Sequence, residues 1–180
     1  MFMILQSFRF YRLTNIVTIV FALLAATPLW ADSLSDQYLI REFGPGDQIF
    51  LQRQYELAEQ LVYDGLLTRL NGEKQHDLRL LQRMIDQKEI KPYQKRELQA
   101  LGSVLGKLLA EEYRLKWVVY EDQLGRSRGL RIDNTRQVIF PLTMISRRVE
   151  ADAEAGVSRI YNKASEVVRY TRANSPLYSD

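Results

Sequence analysis

The sequence predicts an α+β domain: three N-terminal helices, a small three-stranded antiparallel meander, and two C-terminal helices packed on one face of the sheet. Three observations carry this reading. Apolar residues recur at helical spacing through the first half; the period changes from 3.6 to 2 at Leu115; and the connections between the short strands are too short for parallel crossovers. A chain of 180 residues that is 46% hydrophobic and 26% charged suits one such domain preceded by a leader.

The domain is expected over residues 47–172, after a polar lead-in at 32–46 that ends in the turn Gly44-Pro45-Gly46. Asp47 caps the first helix, whose inward stripe is Leu51, Tyr55, Ala58, Val62 and Leu66, and Asn71-Gly72 ends it. The second helix runs from about Lys74 to Lys88 around Leu78, Leu81, Met84 and Ile85. Pro92 opens the third, with Leu98, Leu101, Leu105, Leu108 and Leu109 inward as far as Arg114. Gly102 and Gly106 fall on one face of that helix. Each costs about 1 kcal/mol relative to Ala, so a close intramolecular crossing is expected there. Strands follow at Leu115–Tyr120, Leu130–Ile132 and Gln137–Phe140, with Asp133-Asn134 as a turn and Trp117 on the core side. Pro141 opens a short helix through Glu150, and a last helix spans Glu154–Thr171. Residues 173–180 form a frayed tail.

Residues 1–31 have the order of a secretory signal peptide. Arg9 and Arg12 precede the uncharged core Ile16–Ala26, and Thr27-Pro28 breaks the helix before Ala31. The alternative is an anchor in the inner membrane at residues 13–30, which is short and interrupted for a span. The leader holds two of the 25 basic residues and none of the 22 acidic ones, leaving 23 against 22 beyond Ala31. That balance argues against nucleic acid as a partner. The absence of Cys excludes disulfides, thiol catalysis and thiolate metal sites.

Catalytic material is thin. His76 is the sole histidine, flanked by polar residues, and reads as an exposed surface side chain. Neither a nucleophile elbow nor a phosphate-binding glycine loop is present, and no cofactor or metal site is expected. Glu111-Glu112 and Glu121-Asp122 are sequence neighbours whose side chains point apart. The candidate binding surface is instead the segment GRSRGLRIDNTRQ (125–137) and what surrounds it: Glu121, Asp122, Arg126, Arg128, Arg131, Arg147 and Arg148. Closely spaced guanidinium groups grip carboxylates or phosphates by paired hydrogen bonds.

The stretches LQRQ (51–54), LLQRMID (80–86), ELQALGSVLGKLLAEE (97–112), LKWVVYEDQLGR (115–126) and FPLTMISRRVE (140–150) together resemble DUF3806, a bacterial domain of unknown function. The resemblance covers roughly residues 50–170 and implies a bacterial envelope protein with this α+β arrangement; it supplies no catalytic residues. Within it, Asp122, Arg126 and Arg147 or Arg148 are expected to cluster at the sheet edge as a structural lock or a ligand clamp. The resulting expectation is a periplasmic, non-catalytic module that binds or modulates another envelope protein. The alternatives are a hydrolase of anionic cell-wall fragments using Glu121 and Asp122, and peripheral attachment to anionic lipid.

Overall fold

The structure, a computed structural model, describes residues 38–151 and 156–175. The expected signal peptide, the lead-in up to residue 37, the start of the last helix at Glu154 and the end of the tail lie outside the described residues.

The end of the lead-in is a strand. Leu39–Glu42 forms β1, antiparallel to β2 (Lys116–Asp122), with Ile40 opposite Tyr120 and Glu42 opposite Val118. With β3 (Gly125–Arg131) and β4 (Val138–Ile139), the sheet has four strands among the described residues, in the order β1-β2-β3-β4, where the sequence predicts three. The extra strand has a physical reason to be missed. Three of the four side chains of LIRE are exposed, so backbone pairing rather than an alternating apolar pattern makes it a strand. The β3 strand is also longer than the expected Leu130–Ile132, because its polar first half pairs residue by residue with β2.

Six helices are seen among the described residues: α1 (Pro45–Leu66), α2 (Lys74–Asp86), α3 (Lys95–Tyr113), α4 (Pro141–Met144), α5 (Ser146–Glu150) and α6 (Val157–Ala173). Gly44 occupies the cap position of α1 and Pro45 starts the helix, so Asp47 lies inside the first turn rather than capping it. Leu67, at φ 50°, closes α1 before Asn71-Gly72 is reached. The helix expected over Pro141–Glu150 is two short helices divided at Ile145, whose side chain is fully buried.

The α3 helix is the central one. Leu98, Leu101, Leu105 and Leu109 pack with Leu81 and Met84 of α2, Val62 of α1, Leu130 and Ile132 from the β3 side, and Ile160 and Val168 of α6. No helix among the described residues is long and apolar enough to cross a membrane. The crossing expected at the two glycines is present. A Cβ on Gly102 would lie 2.6 Å from the Leu142 carbonyl oxygen, and one on Gly106 would lie 2.5 Å from Cζ2 of Trp117. Backbone and indole thus occupy the space that the missing side chains leave.

Polar locks fix the periphery. Asp77 is buried and accepts from the amides of Asn71 and Gly72, closing the loop between α1 and α2. His76 is therefore not the free surface side chain expected: its Nδ1 lies 3.0 Å from Oδ1 of Asp77, and its ring is partly covered. Arg172 grips Asp133 through Nε and Nη2 and donates to the Tyr113 carbonyl, tying the end of α6 to the β3–β4 turn.

Candidate functional site

The arginine-rich hairpin is held to the start of α1 by one buried carboxylate. Asp47 is 4% exposed, and its Oδ2 accepts from Arg126 Nη2 at 2.8 Å while Oδ1 accepts from Arg128 Nε at 2.9 Å. The Gly44 amide also donates to Oδ2, and the Arg128 guanidinium lies 3.9 Å above the Phe50 ring centre. Burial works to raise the Asp47 pKa. The hydrogen bond from Arg128, the Gly44 amide and the two guanidinium charges outweigh it and hold the carboxyl below its usual range. Helix geometry explains the placement: with Gly44 as cap, residue 47 is the third helical position, where a carboxylate reaches back to the cap amide.

The sheet edge beside this clamp is open. The β4 strand pairs only Ile139 with Leu130 and Val138 with Arg131, so the outer edge of β3 from Gly125 to Gly129 has no strand partner among the described residues. A Cβ on Gly129 would lie 2.4 Å from Val138 Cγ1 and 2.6 Å from the Ile139 carbonyl oxygen, so glycine is required where β4 joins. Past that point the chain turns into α4 and α5, leaving an open cleft of about 410 Å³ between them and β3. Tyr120, Phe140 and Leu142 give it an apolar floor, and Arg126, Arg128, Asp122 and Arg147 supply its charge. Tyr120 is fixed by stacking on Tyr38 and meeting Phe140 edge-on.

Four of the seven sequence candidates, Asp122, Arg126, Arg128 and Arg147, line this cleft; the other three do not. Glu121 pairs with Arg41 of the edge strand at 3.1 Å. Arg131 donates to the carbonyls of Thr135 and Asn134 and braces its own turn. Arg148 faces a separate groove. The lock expected between Asp122 and Arg126 is not formed either. Asp122 Oδ1 accepts from the Leu124 amide and caps the hairpin, so the partner of Arg126 is Asp47. Glu121 and Asp122 thus have different partners, Arg41 and the Leu124 amide. Sequence reading missed Asp47, Phe50, Tyr120 and Phe140 as parts of the region, since the contacts span up to 81 residues. Among the described residues Arg147 forms no ion pair, and no group of acidic, His or Cys side chains could hold a metal ion.

Fold and cleft together define a small α+β domain with an open, cationic sheet edge. Residues 77–161 match the family model of DUF3806, a domain of unknown function. The match is narrower than the resemblance at 50–170, and it includes the whole β2–β3 hairpin and Arg147 but not Asp47. A crystal structure of a protein from Bacteroides thetaiotaomicron VPI-5482, at 1.50 Å resolution, is similar at a TM-score of 0.65 and 21% identity, which establishes a shared fold. The similarity covers 72% of this chain and 48% of that one, so the matched region is about half the length of the relative. No curated protein matches.

Proposed function

We propose that this is an exported envelope protein whose non-catalytic task is to dock an extended, acidic segment of another envelope protein along the open edge of β3. One observation carries the reading: a strand edge without a strand partner, exposed over residues 125–127, stands beside Arg147, a cation with no acidic partner among the described residues. An unpaired edge offers backbone donors and acceptors for strand addition, and guanidinium groups select carboxylates by paired hydrogen bonds. Leu124 at the hairpin tip is 97% exposed and supplies an apolar contact at the mouth of the cleft. Asp47 holds Arg126 and Arg128 in place before the partner arrives, which lowers the ordering cost of binding. Export rests on the order of positive residues, apolar core and helix break in residues 1–31.

The test is crosslinking of the tagged protein in cells, with mass spectrometry of its adducts and of its own N-terminus. One dominant envelope partner, lost in Arg126→Ala/Arg147→Ala, is expected, together with an N-terminus at Ala31 or Asp32. An unchanged adduct pattern in the double variant would refute the docking edge, and an intact Met1 would refute cleavage of the leader.

A further inference from the structure

Arg147 also borders a second groove, formed by Ile139 of β4, Met144 of α4, Arg147 and Arg148 of α5, and the middle of α6. Its volume is about 360 Å³. Ile139, Ile160 and Ala164 are buried in its floor, and Met144 and Val167 form apolar walls. The polar groups that reach it are three cations, Arg147, Arg148 and Lys163. Among the described residues no Asp or Glu lines the groove, and none of the three cations has an acidic partner. An apolar trough bordered by three cations is complementary to a ligand with an alkyl chain and an anionic head.

We propose that this groove binds a single-chain anionic amphiphile of the alkyl carboxylate kind, with the chain along Ile139, Ile160 and Val167 and the head between Arg148 and Lys163. Size selects this class. Ligand sites run from about 300 to 1,000 Å³, and this one lies at the lower end, enough for one short chain. Charge selects the head: a carboxylate accepts charge-assisted hydrogen bonds from two of the three cations at once, and a neutral amphiphile does not. Burying Val167, which is 45% exposed, adds apolar contact that the free protein lacks. The inference is independent of the docking edge, and its test avoids the shared Arg147.

The experiment is titration of the full chain with sodium decanoate at low ionic strength, below the concentration at which decanoate forms micelles, followed by calorimetry and by methyl NMR. Saturable one-to-one binding is expected, with shifts confined to Ile139, Met144, Ile160, Ala164 and Val167. Arg148→Ala/Lys163→Ala should weaken it roughly tenfold, as loss of two partly exposed ion pairs does. Val167→Asp, an exposed change that leaves the core intact, should weaken it at least as much, and Arg126→Ala should leave it unaltered. Decyl maltoside, which has the same chain and no charge, should bind roughly tenfold more weakly. The proposal fails if decanoate does not saturate, if the double variant or the neutral amphiphile binds equally well, or if the shifts fall elsewhere. Binding to phosphatidylglycerol vesicles without binding to decanoate would also overturn it, since a bilayer surface would then be the ligand.

Discussion

The two ends of β3 carry the same residue type and use it in opposite ways. At the end joined to β4, Arg131 folds back on the carbonyls of Thr135 and Asn134 and braces the following turn. At the hairpin end, Arg126 is half exposed, Arg128 is clamped with it on Asp47, and the strand edge beside them is open. The difference is set by a neighbour: β4 is two residues long and covers only Leu130 and Arg131. A run of arginines therefore does not define a binding surface. Asp47 takes up Arg126 and Arg128, the turn carbonyls take up Arg131, and the length of the adjacent strand decides how much of the backbone edge beside them stays open.

The comparison can be broken at the point where the two ends meet. Gly129→Val forces a side chain into Val138 and the Ile139 carbonyl, prying β4 away, and should cost about 3 kcal/mol in urea denaturation. A cost below 1 kcal/mol would mean that β4 yields easily and does not set the boundary. Asp47→Ala comes next. It removes the carboxylate beneath two guanidinium groups, one half exposed and the other only partly buried, so the loss is smaller than for a dry ion pair, about 2 kcal/mol. Its pH signature has a definite sign. Asp47 titrates below its unfolded value near 3.8, so its stabilisation is present above that value and lost as pH falls through the lowered folded pKa. Acid titration of Asp47→Asn should therefore lack part of the decline in stability seen below about pH 4 in the parent protein. Arg131→Ala should lower stability by about 1 kcal/mol, the worth of the hydrogen bonds it gives up, without affecting partner capture. The smallest effect on stability belongs to Arg147→Ala, within about 0.5 kcal/mol by thermal melting, although it should weaken capture.

These cases also show how far the sequence reaches. The helices were legible because Leu98, Leu101, Leu105 and Leu109 repeat at the helical period and are all buried. The closeness of Gly102 and Gly106 to a neighbour was legible because two mid-helix glycines need a steric reason, although the neighbours themselves, Pro141-Leu142 and Trp117, were not. The β1 strand was hidden because its four side chains are mostly exposed and its reason for being a strand lies in the pairing with β2, far along the chain. The site was half legible. Clustered arginines marked the segment, yet the sorting of Arg126 from Arg131 depends on Asp47, 79 residues away, and on where β4 stops. Local spacing carries no record of either.

The most direct test places a photo-crosslinking residue at Ser127 on the open edge and, in a second strain, at Arg136 in the turn beyond the braced end of β3. Capture of one envelope partner from Ser127 and none from Arg136, with the Ser127 adduct abolished by Arg147→Ala and preserved in Arg131→Ala, is the predicted result. Equal capture from both positions, or a Ser127 adduct that survives Arg147→Ala, would contradict the assignment of the open edge as the docking surface.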